Sequence, residues 1–316
     1  MSRSFDRLVD AGYAGRTAAE IAAAPLDALR GVSPGDAAKL AEAFAIHEVG
    51  DLAASRFVRA SGAVLTAASG RPGYDPGPPP DWEARFAAAP LDAYLTRPDV
   101  FRVDFGPAYY RGRLDGTARV LVVGQDPSVN EVLAHRAFVG KSGQRLQGLL
   151  LKMGLTRSYV MLNTFLFGIF GQFEGDAAAM SRTDPLLAYR NGLFDAVAAD
   201  NPLEAVLTVG SAAKDAISRW PGRGELPTVH VLHPAFPDVA QLLADWNEAL
   251  VDLAGDVGAD DGAVPGPPYG TDFAPGDVVA IPRHDLPFGL PPWHGDGDHA
   301  VRAGATVIEW RSTPVE

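Results

Sequence analysis

The chain has 316 residues, of which 47% are hydrophobic, and its formal net charge is −12. This length suits one large domain with appendages, and the hydrophobic share is sufficient for a sizeable core. The absence of cysteine excludes disulfides, thiolate zinc sites and cysteine-ligated iron–sulfur clusters. The sequence has no apolar leader and no run of 18 apolar residues, so we expect a cytoplasmic protein without a membrane span. The acidic charge argues against a general nucleic-acid coat protein.

The N-terminal part of the chain, residues 1–69, is rich in alanine and predicts a helical segment. Residues 29–40 and 43–52 predict two short helices around a Gly-x-x-Pro-Gly turn, which looks like a helix-hairpin-helix unit. Such units bind the DNA backbone through turn amides and a helix N-terminus, and a packing or protein-contact role is the alternative. Residues 70–81 are rich in Gly and Pro and predict a linker.

Residues 82–258 predict an α/β domain. An amphipathic helix is expected over residues 82–95, and four short apolar runs then read as buried parallel strands. Together they predict a three-layer α/β/α fold with a central, mostly parallel sheet, to which the N-terminal hairpin and a C-terminal extension are added. The four predicted strands cover residues 119–123, 159–162, 205–209 and 228–232.

Each predicted strand is followed by small or polar residues. If the strands are parallel, these residues gather at one edge of the sheet, where open α/β sheets bind their ligands. The turn after the first strand, Gly-Gln-Asp-Pro-Ser, places a carboxylate at that edge, although an ordinary turn with a capping Asp is the alternative. The residues expected at the edge are Asp126, Asn163, Ser211 and His233.

Four motifs occur in order along this part of the chain. They are the Gly-Gln-Asp-Pro turn, the Phe-Val-Gly loop at Phe138, the strand-terminal Asn163 and the late His-Pro at His233. This ordered set resembles the uracil-DNA glycosylase superfamily over residues 101–250. The resemblance implies a monofunctional DNA glycosylase that hydrolyses the N-glycosidic bond of a flipped pyrimidine in duplex or single-stranded DNA. Thermophilic-type members carry an iron–sulfur cluster, which this cysteine-free chain cannot hold.

The resemblance also implies roles for individual residues. Asp126 is the catalytic carboxylate on the sugar side, which orients water and stabilises the cation. A neutral His233 donates to O2 of the base as negative charge develops there. Phe138 stacks on the flipped base, Asn163 binds its Watson–Crick edge, and backbone amides near Gln125 help to hold O2.

The residue after the turn departs from the family pattern. In members that share the turn a Tyr follows it and blocks C5 of the base, whereas here Ser128 leaves room for a C5-modified pyrimidine. Uracil and a C5-modified pyrimidine both remain candidate substrates, and the second would suit a defence against phages with modified DNA. Phe236 is expected either to wedge into the gap left by the flipped base or to cap the sheet edge. The residues expected to contact DNA are Lys141, Ser142, Ser211 and Phe236.

Charge is unevenly distributed along the chain. Residues 101–160 hold nine Lys and Arg against four Asp and Glu, which predicts a basic rim around the site. Its expected members are Arg111, Arg113 and Arg119, and the alternative is that these arginines are merely solvated. Residues 259–316 predict an acidic C-terminal extension with strands at 278–281 and 305–310. His284, His294 and His299 fit no zinc spacing, so no metal or cofactor is expected.

Two other classes of function stay open at this point. One is a non-catalytic base-binding or DNA-mimicking module, which the net charge of −12 favours. The other is a glycosidase of free nucleotides, because an acidic protein need not bind a polymer.

Overall fold

In a computed structural model of the chain, the structure describes residues 8–58, 61, 73–287, 300–302 and 308–310. The chain divides into two compact units, each with its own internal contacts. The first comprises Met1–Arg71 with Pro79–Asp81, and the second comprises Pro72–Pro78 with Trp82–Glu316.

The first unit contains the helices α1 (Ala18–Ala22), α2 (Pro34–Phe44) and α3 (Val49–Ala54). Helix α2 begins after Ser33 because the Ser33 hydroxyl accepts a hydrogen bond from the Asp36 amide at 3.1 Å. The same hydroxyl donates to the Asp36 carboxylate at 2.7 Å. The N-terminus of α2 therefore already holds a negative charge of its own, which disfavours binding of a DNA phosphate there.

The second unit is built on a five-stranded sheet with the order β2-β4-β3-β6-β7. Strands β4, β3, β6 and β7 are parallel to one another, and β2 is antiparallel to β4 at one edge. The four strands predicted from the sequence are all present and differ from the prediction by one residue at most. The strands of this unit are β1 (Phe101–Arg102), β2 (Tyr110–Gly112), β3 (Val120–Gly124), β4 (Tyr159–Asn163), β5 (Gly168–Ile169), β6 (Ala205–Val209), β7 (Thr228–Val231), β8 (Ala300–Arg302) and β9 (Ile308–Trp310).

Helices cover both faces of the sheet. The helix predicted over residues 82–95 is interrupted, because Pro90 has no backbone N–H to continue it, and it forms two shorter helices instead. The helices after α3 are α4 (Pro80–Ala87), α5 (Leu91–Leu95), α6 (Val129–Ala134), α7 (Lys141–Lys152), α8 (Gly175–Ser181), α9 (Leu186–Asp200), α10 (Ser211–Ser218) and α11 (Val239–Ala254).

The alternation of side chains along β3 produces two separate cores. Val120 and Val122 face the core that includes α7 and α11, whereas Leu121 and Val123 face the core that includes α9 and α10. Both sides of the strand are apolar because both faces of a parallel sheet are buried. The predicted three-layer α/β/α fold with a mostly parallel sheet is therefore confirmed.

The described part of the C-terminal segment lies within the second unit. The Asp260 carboxylate accepts hydrogen bonds from the amides of Thr156 and Arg157 at 2.8 and 2.9 Å. The strand predicted over residues 278–281 is wrong, because the Val279 amide bonds to the Gln144 carbonyl of α7 and not to a neighbouring strand. Strand β9 overlaps the other predicted strand, and His294 and His299 lie outside the described residues.

The predicted linker also contributes to this unit. Asp75 is 8% exposed, and its carboxylate accepts from the Tyr110 hydroxyl at 3.0 Å and from Arg136 Nε at 2.6 Å. The Gly- and Pro-rich composition predicts a linker, but it does not reveal that Asp75 anchors this segment to the second unit. Among the helices described, none combines the length and apolar character that a membrane span requires.

Candidate active site

The carboxyl ends of β4, β3, β6 and β7 lie along one edge of the sheet, because these neighbouring strands are parallel. The turns that follow them carry Asn163, Asp126, Ser211 and His233, respectively. Gly124 pairs directly with Asn163 at the ends of β3 and β4. At the other pair of strands, a Cβ on Gly210 would lie 3.4 Å from Cβ of His233. The structure thus brings these candidate residues to the same edge.

The Asp126 carboxylate is held in a fixed position beside β5. Its Oδ2 accepts a hydrogen bond from the Ile169 amide at 2.8 Å. Burial raises the pKa of Asp126 from 3.8 to about 6, although the Ile169 amide, the Gln125 side chain and the charge of Arg102 act in the opposite direction. The group is therefore an ionised acceptor above about pH 6 and a protonated acid below it.

The turn that carries Asp126 is bonded to the segment after β4. The Gly124 carbonyl accepts from the Thr164 amide at 2.8 Å, and the Gln125 carbonyl accepts from the Phe165 amide at 2.9 Å. These bonds extend the strand pairing by two residues. The Gln125 side chain also bonds to Asp126.

Glu131 connects this turn to the Phe-Val-Gly loop. Its Oε2 accepts from the Ser128 amide at 3.1 Å, and its Oε1 accepts from the amides of Val139 and Gly140 at 2.9 Å each. Ser128 itself is exposed at the start of α6. Glu131 is not among the site residues predicted from the sequence, although the Ser-x-x-Glu spacing from Ser128 is a capping-box signal that points to it.

Phe138 lies against the ends of β3 and β4. It is 7% exposed, and a Cβ on Gly124 would overlap its ring, so the glycine of the turn makes room for the aromatic side chain. The backbone of Phe138 has a φ of 54°, in the left-handed region, which costs an L-residue roughly 1–2 kcal/mol. Gly143 permits this conformation, because a Cβ there would overlap the Phe138 carbonyl.

Asn163 presents an unused donor at the same place. The residue is 7% exposed, and its Nδ2 has no hydrogen-bond partner among the described residues. Its Oδ1 would lie 2.7 Å from a Cβ on Gly124, so the amide lies beside the Phe138 ring. A buried amide group without a partner requires an explanation, and a ligand that completes its hydrogen bonds is one.

His233 has a defined tautomer when it is neutral. Its Nδ1 lies 3.1 Å from the Ala235 amide, which donates to it, so the proton of a neutral ring must be on Nε2. Burial lowers the pKa of His233 below its usual value, which favours the neutral ring. The side chain therefore combines an occupied acceptor at Nδ1 with an N–H donor at Nε2.

The His-Pro loop is braced by two helices. Arg145 of α7 donates to the Pro234 carbonyl at 2.5 Å. From α11, the Asp245 carboxylate accepts from the Leu232 amide at 2.7 Å, and Trp246 Nε1 donates to the Leu232 carbonyl at 3.0 Å. The loop that carries His233 is thus fixed from both sides.

The residues expected to contact DNA differ in their surroundings. Lys141 and Ser142 begin α7, and Ser211 begins α10; neither helix has an acidic residue in its first turn. Lys141 and Ser211 are exposed. Phe236 is only half-buried, but it packs against the core beneath α7 and α11, which favours the alternative of capping the sheet edge.

The predicted basic rim does not include three of its expected members. Arg111 and Arg113 are buried and pair with Asp285, and Arg119 pairs with Glu204 at 2.7 Å. Arg111 and Arg113 are therefore withdrawn from solvent, and Arg119 is partly exposed but paired with an acidic residue distant in sequence. Net charge along a segment could not reveal such pairs.

An open α/β protein whose strand ends carry a carboxylate and a neutral imidazole belongs to the class that binds ligands at the carboxyl edge of a parallel sheet. Comparison with family models gives a match over residues 112–249 to the Uracil DNA glycosylase superfamily. This match supports membership of the uracil DNA glycosylase superfamily for residues 112–249, as the motifs in this region indicated. Membership supports a DNA glycosylase-type function with DNA as the partner. A search of curated proteins gave no match to the chain.

Proposed function

We propose that the second unit is a monofunctional DNA glycosylase that releases a flipped pyrimidine, either uracil or a C5-modified pyrimidine. The observation that carries this proposal is the state of His233, whose Nδ1 accepts from the Ala235 amide, so that a neutral ring carries its proton on Nε2 and can donate it to a ligand. It lies at the same sheet edge as the Asp126 carboxylate.

The two groups match the two charges that develop when an N-glycosidic bond breaks. The bond between C1′ and the base nitrogen leaves its electron pair on the base, and the sugar becomes cationic. Asp126, when ionised, stabilises that cation and orients a water, whose oxygen bonds to C1′ and whose proton passes to the carboxylate. The Nε2–H of His233 donates to O2 of the departing base anion, and one such donor is typically worth about 2.7–4 kcal/mol in the barrier.

Phe138 and Asn163 would recognise the flipped base. The ring of Phe138 lies beside the Asn163 amide, so a base stacked on the ring would present its Watson–Crick edge to that amide. The unpartnered Nδ2 of Asn163 supplies a donor that suits O4 of uracil, and the opposite amide orientation suits cytosine. This arrangement favours binding of a pyrimidine, and other contacts must decide between uracil and cytosine derivatives.

Ser128 is the residue that bears on that choice. It is exposed, and it forms a capping box with Glu131, whose carboxylate accepts from the Ser128 amide at 3.1 Å. By the family resemblance, the position faces C5 of the base. A small residue there favours a pocket that admits a C5 substituent, and action on modified phage DNA is the biological role that such a pocket would suit.

The starts of α7 and α10 are the proposed contacts to the DNA backbone. Helix N-termini attract phosphate oxygens, and neither helix has an acidic residue in its first turn to oppose this. Lys141 adds a positive charge next to the Phe-Val-Gly loop, and Ser211 lies beside the His-Pro loop.

The test is to incubate the full chain with oligonucleotides that bear uracil, thymine, 5-hydroxymethylcytosine or glucosylated 5-hydroxymethylcytosine. Each base is offered in duplex DNA, in single-stranded DNA and as the mononucleotide, and alkaline cleavage of the polymers reports abasic sites. Asp126→Asn serves as the inactive control. We expect release from DNA of at least one of these bases by the wild type only.

Other outcomes identify the alternatives. Binding without release of any base would indicate a non-catalytic or DNA-mimicking module. Release from mononucleotides alone would indicate a nucleotide glycosidase. Equal release by the wild type and Asp126→Asn would remove Asp126 from the mechanism.

A further inference from the structure

The C-terminal segment inserts a buried acidic residue behind the candidate site. Asp285 is fully buried in a short 3₁₀ turn (Arg283–Asp285). Its Oδ1 lies 2.6 Å from Arg113 Nη2, its Oδ2 lies 3.3 Å from Arg111 Nε, and the Tyr159 hydroxyl donates to it at 2.8 Å. Burial alone would raise the pKa of Asp285, but the charges of Arg113 and Arg111 outweigh it and lower the pKa. Asp285 is therefore a carboxylate between two guanidinium groups.

Of the two arginines, only Arg111 extends from Asp285 to the base-binding loop. Its Nη1 donates to the Phe138 carbonyl, and its Nη2 donates to Gln147 Oε1 at 2.8 Å. Arg113 Nη2 instead bonds to the C-terminal segment, through Asp285 and the His284 carbonyl at 2.7 Å. The contacts thus form a chain from Asp285 through Arg111 to the backbone of Phe138.

Phe138 needs external support because its backbone has a φ of 54°. On its C-terminal side, Glu131 holds the amides of Val139 and Gly140. On its N-terminal side, the Ala137 amide donates to the Tyr110 carbonyl of β2 at 3.0 Å. The carbonyl of Phe138 itself is held by Arg111, whose orientation depends on its ion pair with Asp285.

We propose that Asp285 is a positioning residue for base binding, and that it acts through Arg111 to fix the Phe138 ring in the orientation that stacks on the flipped base. This inference rests on the proposed glycosylase function. It assigns the segment around Asp285 to the site, although the segment lies more than 100 residues after Phe138 in the sequence. A buried ion pair is weak evidence for stability as such, because apolar replacements are often equally stable, whereas it fixes geometry well.

The experiment compares Arg111→Lys with Arg113→Lys. Both substitutions keep a positive charge beside Asp285, but a lysine at 111 cannot bond to Asp285, Gln147 and the Phe138 carbonyl together. The assays are kcat and KM for the base that the wild type releases, and binding of an uncleavable duplex that carries the 2′-fluoro nucleoside of that base next to 2-aminopurine. The 2-aminopurine fluorescence rises when the neighbouring base leaves the stack.

We expect Arg111→Lys to weaken flipping of the probe and to lower kcat/KM roughly 10-fold or more, which is the scale of one lost stacking contact. Arg113→Lys should stay close to the wild type in both assays. Equal fluorescence changes and equal kinetic effects for the two variants would overturn the positioning role while leaving the glycosylase function intact. A wild type that releases no base would instead overturn the proposed function.

A second pair of variants tests Asp285 directly. Asp285→Asn is compared with Asp277→Asn, which removes another buried carboxylate of the same segment, paired with Lys152 at 2.8 Å at the far end of α7. We expect both to lower the melting temperature and only Asp285→Asn to weaken flipping. If Asp285→Asn does not fold, Tyr159→Phe removes the hydroxyl that bonds to Asp285 at 2.8 Å and to Gln147 Oε1 at 3.2 Å, and it should weaken flipping in the same direction. Flipping that stays at the wild-type level in the folded variant would overturn the role of Asp285.

Discussion

Replacing Asp126 by Asn should make the protein more stable and catalytically inactive at the same time. The substitution preserves the shape of the side chain, and the Asn oxygen can still accept from the Ile169 amide that now bonds to Oδ2 at 2.8 Å. What it removes is the negative charge. A residue retained for stability would behave in the opposite way, so the two measurements together separate a functional role from a structural one.

The magnitude follows from the raised pKa of Asp126. Folding raises the pKa from 3.8 to about 6, and each pKa unit corresponds to 1.36 kcal/mol. The cost of the buried charge is absent below pH 3.8, grows as the pH rises to about 6 and is complete above it. Above about pH 6 the buried charge therefore costs at most about 3 kcal/mol of folding free energy. The true cost is smaller, because water at the partly exposed carboxylate screens part of the charge.

The assay is the free energy of unfolding of the wild type and Asp126→Asn in urea at pH 5 and pH 8, together with single-turnover base release. We expect the variant to gain more stability at pH 8 than at pH 5 and to lose roughly 10²–10⁴-fold in rate. In the wild type, kcat/KM should fall as the pH decreases through about 6, where Asp126 becomes protonated.

Asp260→Asn is the matched control with the opposite sign. Burial would raise the pKa of Asp260, but hydrogen bonds from Ser158 and the amides of Arg157 and Thr156 outweigh it and lower the pKa. Its stabilisation is therefore present at pH 8 and is lost as the pH falls, so Asp260→Asn should destabilise the protein more at pH 8. The same dependence on pH for Asp126→Asn and Asp260→Asn would refute the opposite pKa shifts of the two carboxylates.

Three further predictions concern the surroundings of the base. His233→Asn should abolish base release, although the Asn side chain still offers an acceptor to the Ala235 amide. His233→Gln should keep partial activity, because its amide can donate from near the Nε2 position of the histidine. Equal loss of base release in both variants would exclude the donor role of His233. Ser128→Tyr should reduce release of C5-modified pyrimidines and spare uracil, and equal loss on both substrates would mean that the turn is distorted. Gly143→Ala should displace Phe138 and impair base release. As a control, the Cβ of Gly192→Ala meets no atom within 4 Å, so this variant should raise the unfolding free energy by roughly 0.5–1 kcal/mol. Circular dichroism melts measure the stability of the two variants, and the release assay measures their activity.

The parts of the fold that the sequence predicts correctly are those with local causes. Continuous apolar runs such as Val120–Gly124 are buried on both faces. Such runs indicate parallel strands from the local sequence alone, whichever strands lie beside them. The order of the motifs then places Asp126, Asn163 and His233 at the strand ends. The proposed roles of these three residues remain predictions, which the substitutions above are designed to test.

The parts that the sequence does not predict depend on partners distant in the chain. Arg111 reads as a basic surface residue until Asp285 is placed beside it, and nothing in the spacing of 174 residues links the two. Residues 278–281 have the apolar, β-branched composition of a strand, yet the Val279 amide bonds to a helix. Composition could not distinguish these cases because the tertiary partner, and not the local preference, decides the outcome.

Burial shifts the pKa values of the two proposed catalytic groups in opposite directions, and the resulting pair of protonation states suits base release. It raises the pKa of Asp126 to about 6 and lowers the pKa of His233, because in each case it penalises the charged form. At pH 7 the carboxylate is nevertheless ionised and the imidazole is neutral, so both groups are in the forms that the proposed base release requires. Moving either group into water would leave these forms unchanged at pH 7. Burial therefore serves to strengthen the interaction of the two groups with the separating charges, since electrostatic stabilisation is largest where water is excluded.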